Sequence, residues 1–424
     1  MMLKQNELPT METVQDAGHD RSTSNSDMPF VSSPARAAAD ADDRADPAVR
    51  DALDVLPERR DLRYSLAVHR WAWAVAFTTF PLIFVGGLVT THDAGMAVPD
   101  WPNTFGHNMF LYPWYSWLVG PFDLFVEHGH RMLGSIVGIL TIGLVVSVWR
   151  NDRRGWMKFW SLAVLLAVVA QGTLGGFRVT MAERTFAMIH GVTGPMFFAI
   201  AVATCVLTSR WWLDLATKTV KPQDSRHREG TSPAQSAIVV DGSESAGSKI
   251  SASERAVAEP LRIFSLRGIA ISALPFLAVL QLTIGAQMRH VAVTGSPQGF
   301  VGLVHTHLAL AILLTLGILF VAGGVHYGLW TRATRLKRPA SALVLLVICQ
   351  VLLGCAAWVA NYALPWQSSL AWFSEYTIAA KGFWESWIVT GHQATGSLII
   401  GAATVLAVRL WRHAYLARMG TLTS

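Results

Sequence analysis

Charge is scarce in this chain. Asp, Glu, Lys and Arg make up 15% of its 424 residues, where an ordinary soluble domain carries about 25%. That shortage excludes a solvated globular surface over most of the length. Cysteine is scarce too: Cys205, Cys349 and Cys355 are the only three. Each falls in or near the end of an apolar run, so small buried hydrophobes describe them and no outward-facing disulfide is available. Residues 1–57 lack the apolar core of a secretory signal and hold too many acids for a transit peptide. Lys and Arg are missing altogether from 92–125.

Apolar residues are abundant, at 52% of the chain with a mean hydropathy of +0.37. They gather in runs of about 20, the length a bilayer-crossing helix needs. Eight such runs lie at 71–91, 126–149, 157–178, 185–209, 264–288, 300–325, 341–360 and 386–410. The fold class expected is an all-α integral membrane protein. Arg59, Arg60, Arg63 and Arg70 precede the first run, and Arg150, Arg153, Arg154 and Lys158 separate the second from the third. Arg332, Arg335, Lys337 and Arg338 follow the sixth, and Arg409, Arg412 and Arg418 end the eighth. Positive residues collect on the cytoplasmic side, so both termini are expected there, in a bacterial-type inner membrane. The net charge of +6 follows from that bias and needs no nucleic-acid partner. Trp71, Trp149, Trp211, Trp330 and Trp387 stand where interfacial anchors do.

The polar, Ser-rich stretch 217–258 divides the runs into two sets of four. The expected organisation is a disordered tail at 1–65, an N-terminal half at 66–212 and a cytoplasmic linker at 213–260. A C-terminal half at 261–414 and a tail at 415–424 complete it. Four spans per half give both halves one orientation, related by an axis along the membrane normal. Gln171-Gly172-Thr173-Leu174-Gly175 echoes Gln350-Val351-Leu352-Leu353-Gly354, each at a similar distance beyond a His-x-His pair. Two pseudo-symmetric four-helix bundles are the architecture this predicts.

Those pairs are His128/His130 and His305/His307, each opening a span. His190 and His392 open the fourth and eighth spans. Imidazole at membrane depth is costly without a partner and is read first as functional. Residues two apart on a helix point about 200° apart, so one member of each pair faces the bundle axis. Glu127 shares a face with His130, which makes His130 the inward member and, by the repeat, His307. His128 and His305 are then interfacial or supporting residues. Within each half a second-helix histidine can face a fourth-helix one, and bundle cores commonly hold cofactors this way. Zinc recruits several N, S or O ligands, whereas two facing imidazoles suit the axial positions of a haem iron. Glu127 is matched by Val304 in the second half. A carboxylate can move protons, stabilise positive charge or attack an electrophile, so the first half is the candidate reaction site.

Gly86-Gly87-Leu88, then Ala94-Gly95-Met96-Ala97-Val98-Pro99-Asp100-Trp101-Pro102, then Glu127-x-x-His130-Arg131 and Gln171-x-x-Leu174-Gly175-Gly176, resembles the haem A synthase family. The placement of His190, His307 and His392 is similar too. The resemblance spans about 66–412 without the linker, and implies oxidation of the C8 methyl of haem O to the formyl of haem A, for cytochrome oxidase. It implies a resident haem b on His307 and His392, and substrate haem on His130 and His190. It further implies Glu127 in the oxidation and Arg131 beside the substrate haem. Haem O synthase as the supplier of substrate, and an electron acceptor, are the partners implied besides the lipid bilayer. The chain departs from the family in having no cysteine pair within 92–125, and in Val89-Thr90-Thr91-His92 where members often carry Thr-Arg-Leu-Thr. A bis-haem electron carrier of the cytochrome b type, without chemistry on its haem, would use the same histidines but leave Glu127 idle. A haem transporter would hold haem only transiently. The paired Asp-rich motifs of a prenyl-transferring haem O synthase are missing.

Overall fold

The structure, a computed structural model, describes residues 64–217, 265–290, 296–328, 334–362 and 382–418. Eight helices among them are long and apolar enough to cross a bilayer, and together they make a multi-pass membrane protein. They are α1 (Leu66–Thr91), α3 (Phe122–Asn151), α4 (Gly155–Thr180), α5 (Arg184–Leu207), α7 (Leu266–His290), α8 (Pro297–His326), α9 (Lys337–Tyr362) and α10 (Phe383–Arg418). Two short helices, α2 (Trp114–Leu118) and α6 (Arg210–Thr217), lie between them. No strand occurs among the described residues.

Most long helices overrun their apolar runs, because hydrogen bonding does not stop where hydropathy does, whereas α5 stops at Leu207, short of the expected 209, and α7 starts at Leu266, after the expected 264. At the start of α1 the Ser65 side chain accepts from the Val68 N–H at 3.4 Å, capping a turn that precedes the apolar run. At the far end α10 continues to Arg418, past the boundary expected at 414, since no Pro or Gly interrupts 409–418. Helix α6 likewise runs beyond 212 into the expected linker. Trp212 holds its start, with the Arg412 guanidinium 4.9 Å above the indole. The rest of the linker and most of both tails lie outside the described residues.

Helix α1 packs on α3, α3 on α4, α4 on α5, and α5 back on α1. The same succession joins α7, α8, α9 and α10. One apolar core runs through each set: Val75, Val137, Leu144, Met157 and Phe197 in the first, Ile271, Ile318, Leu343, Ile399 and Leu406 in the second. The sets meet where α10 packs against α1 and α5, and where α7 packs against α5. Small residues allow the approach: a Cβ on Gly401 of α10 would stand 2.9 Å from the Phe198 ring of α5. Large side chains such as Phe77, Ile139, Phe159, Ile312 and Phe320 point outward on the spans, as faces toward lipid tails do.

The turn from α3 to α4 shows how charge is tolerated at the end of a span. Asp152 and Arg154 are both buried, and both carboxylate oxygens accept from the guanidinium, the shortest contact being 2.6 Å. Arg154 also donates to the Leu207 carbonyl at 2.9 Å, closing the end of α5. Arg154→Ala should therefore cost about 3–5 kcal/mol, because it leaves a buried carboxylate unpaired. Thermal unfolding in detergent would register this as a lower midpoint, and adding Asp152→Asn should recover part of the loss.

Candidate functional site

The four span-opening histidines stand in two facing pairs. The His130 and His190 rings are 6.2 Å apart at 88°, and the His307 and His392 rings are 6.5 Å apart at 61°. Each lies in the first turns of its helix, at the end of the bundle that carries the loop 92–121. A metal–imidazole bond is about 2 Å long, so two imidazoles sharing one metal stand with ring centres about 6 Å apart. Both pairs match that spacing.

Each ring is seated on a glycine of the preceding long helix. A Cβ on Gly86 would lie 2.8 Å from His130 Cε1, and one on Gly175 would lie 3.2 Å from His190 Cε1. Cβ atoms on Gly285 and Gly354 would lie 3.0 Å from Cε1 of His307 and His392. One helical turn before each glycine a backbone carbonyl faces the same ring: Leu82 for His130, Gln171 for His190, Gln281 for His307 and Gln350 for His392. His392 Nδ1 donates to the Gln350 carbonyl at 3.2 Å. A carbonyl only accepts, so this bond fixes the proton on Nδ1 and leaves the Nε2 lone pair for a metal. The Nδ1 atoms of His130 and His190 are buried without a completed hydrogen bond, as are the amide oxygens of Gln281 and Gln350.

The echo between Gln171 and Gln350 thus has a physical cause, since each begins a turn that ends on a histidine seat. Two further copies were not recognised from sequence: Gln281-x-x-x-Gly285 in α7, and Leu82-x-x-x-Gly86 in α1. The signal was a glycine one turn after a fixed carbonyl in each odd-numbered span. In the second half the glutamine amides also reach the imidazoles. Gln281 Nε2 lies 3.2 Å from both ring nitrogens of His307, and Gln350 Nε2 lies 3.3 Å from His392 Nε2.

Glu127 and Arg131 leave the axis and hold the loop. One Glu127 oxygen accepts from the Val98 N–H at 2.9 Å, and the other pairs with Arg131 at 2.9 Å. Arg131 donates further to the carbonyls of Val98, Asp100 and Asn103, at 2.8, 2.6 and 3.0 Å. Phe105 and Gly106, both at positive φ, aim consecutive N–H groups at Asp100, which accepts at 2.9 and 2.7 Å. Burial raises the pKa of Asp100, but these N–H groups and the charge of Arg131 outweigh it and hold the carboxyl below its usual range. His128 is buried against Thr104, Tyr112 and Trp117, so it docks the same loop. His305 is exposed on its helix, and Val304, the counterpart of Glu127, is buried.

Among the described residues no three His, Cys, Asp or Glu side chains gather. Each site therefore offers two opposed imidazoles, a donor set suited to the axial positions of haem iron. The orphaned polar atoms and bare glycine seats fit the same group.

The profile of a family described as cytochrome oxidase assembly protein matches residues 116–240. Over this part of its length the chain is similar to the haem A synthase family. A protein named haem A synthase from Listeria monocytogenes (serotype 4a, strain HCC23) is 29% identical over 140 residues, 32% of this chain and 43% of that protein. A haem A synthase from Oceanobacillus iheyensis is 24% identical over 133 residues, covering 30% and 40% of the two chains. One from Beijerinckia indica is 26% identical over 189 residues, covering 36% and 52%. The alignments span about half or less of these relatives' length. The family profile covers Glu127, His130, Arg131 and His190, while His307 and His392 enter through the repeat within the chain.

Arg131 spans three carbonyls that a shorter or single-pointed cation cannot reach together. In Arg131→Lys the amide of Val98 should exchange with deuterium faster than in the parent protein, with the core of α4 unchanged. Undiminished protection of Val98 would contradict the clamp.

Proposed function

We propose that this chain is a haem A synthase that oxidises the C8 methyl of haem O to a formyl group. The observation that carries the proposal is two matched imidazole pairs with a buried carboxylate beside only one. In this reading His130 and His190 hold the iron of the substrate haem, and His307 and His392 hold a resident haem b. When bound there, the resident haem supplies one-electron redox chemistry. The second site has Val304 where the first has Glu127, which suits carrying electrons rather than reacting.

The chain's own contribution is placement. The glycine seats let each ring approach the backbone, and at His392 the carbonyl one turn earlier holds Nδ1 and leaves Nε2 free. Val98 N–H and Arg131 occupy the two oxygens of Glu127 from the loop side and fix the carboxylate near the end of the His130 site. Turning CH3 into CHO with oxygen from water releases electrons and protons in equal number; a fixed carboxylate there stabilises the positive charge that develops on the methyl carbon and can take up a proton as C–H bonds break. The electrons go to an acceptor outside the chain, and the substrate comes from haem O synthase. The Lys and Arg bias supports a topology with both termini and the linker in the cytoplasm of a bacterial-type cell and the loop 92–121 outside. The near-equal spacing of the two imidazole pairs also suits a bis-haem electron carrier, in which Glu127 would only brace the loop.

Co-expression with a haem O synthase, followed by pigment extraction and chromatography, separates these readings. The parent protein should yield haem A. Glu127→Gln keeps an oxygen for the Val98 N–H and loses the charge, so it should retain bound haem but yield little or no haem A. Normal haem A from this variant would leave the electron carrier as the better reading. His307→Ala should lose most low-spin haem b, whereas His305→Ala should keep it.

A further inference from the structure

Cations are missing from the first loop, yet several gather at the same end of the bundle. Arg178 lies one turn beyond the His190 seat on α4, Arg184 begins α5, and Arg289 and His290 end α7. The charged groups that act on His290 are Arg289, Arg178 and Arg184, all of one sign. Arg289 is engaged: it donates to Gln393 at 2.9 Å and to Thr91, and Asp93 lies within its electrostatic reach.

Arg178 is different. Its guanidinium lies on the bare backbone of Gly95, in the space a Cβ there would need. Among the described residues it has no hydrogen-bond or ion-pair partner. The acid within its reach is Glu127, whose two oxygens are already taken by Val98 N–H and Arg131. Both His130 and His190 feel its charge, so it stands beside the imidazole pair. A partly buried guanidinium without a partner is costly and is relieved by an anion. Arg131, which the sequence suggests for that duty, spends its donors on loop carbonyls and Glu127.

We propose that Arg178, with Arg184 and His290 behind it, receives the propionate carboxylates of the haem held between His130 and His190. This rests on the haem reading above. A porphyrin carries both propionates on one edge. Gripping that edge fixes rotation of the ring about its iron axis, and so which methyl group meets Glu127. Two imidazoles alone cannot set that rotation. Arg178 is thereby a positioning residue.

The test uses the full chain in lipid nanodiscs, titrated with ferric haem and with its dimethyl ester, whose propionates are capped. The signal of this site is the part that His130→Ala abolishes, and haem at the His307–His392 pair reports intact folding in every variant. The parent protein should bind the free acid about tenfold or more tightly than the ester. Arg178→Gln should bind both equally, at the parent's affinity for the ester, and Arg178→Lys should restore part of the preference. A preference that survives in Arg178→Gln overturns the proposal, as does an equal fall in both affinities. No preference in the parent protein would assign Arg178 to another anion, such as a lipid phosphate. Absence of any His130-dependent binding would instead defeat the haem reading itself.

Discussion

Contact between an imidazole ring and bare glycine backbone is the constraint on which both sites depend. A histidine on one helix can reach the bundle axis only if the neighbouring helix stands close, and a side chain at the contact would hold the helices apart. Glycine at 86, 175, 285 and 354 removes that obstacle, with added Cβ atoms falling 2.8–3.2 Å from the rings. The carbonyl one turn earlier then offers each ring an acceptor at a fixed height. Four repetitions of one helix–helix contact therefore produce two opposed imidazole pairs. The free energy lost by glycine within a helix, about 1 kcal/mol each, is offset by packing that places a polar ring where lipid-depth burial would otherwise be unfavourable.

Adjacent glycines extend the contact in new directions. Gly86 seats His130, while Gly87, about 100° around the helix, lies against Thr390 and Gln393 of α10. Thr91, one turn on, is 3.2 Å from the Thr390 hydroxyl and also receives Arg289. Helix α1 is thus a wall of the first site and half of the seam to the second set of helices. In α4 the pattern is similar: Gly175 seats His190, and Gly176 lies under the Trp101 indole of the loop. The loop and the seam are therefore mechanically tied to the histidine pairs.

The two halves diverge where the repeat meets the loop. Glu127, Arg131 and His128 all serve the covering over the first site, and their counterparts in the second half include the buried Val304 and the exposed His305. The second half instead places two glutamine amides on its imidazoles. One scaffold thus presents a carboxylate at one pair and neutral amides at the other. The proposed division between a reacting haem and an electron-carrying one follows from that chemical difference.

Span number and the four facing histidines were legible in the sequence. Hydropathy and helical period act locally, and a residue's face on its own helix follows from its position. The Gln171 and Gln350 echo was visible as a pattern, but its meaning was not, because a carbonyl that meets a histidine belongs to another helix. For the same reason Gly86 stood out only as part of a glycine motif, and Gly285 did not stand out at all. Glu127 and His130 do share a stretch of helix, yet Glu127 turns to the Val98 N–H and not to the axis, since a loop residue 29 positions upstream supplies its donor. Arg131 and Arg178 could not be told apart as cations by sequence. Only the tertiary structure shows which guanidinium has its donors filled, because the carbonyls that fill them come from a loop whose path no local periodicity encodes.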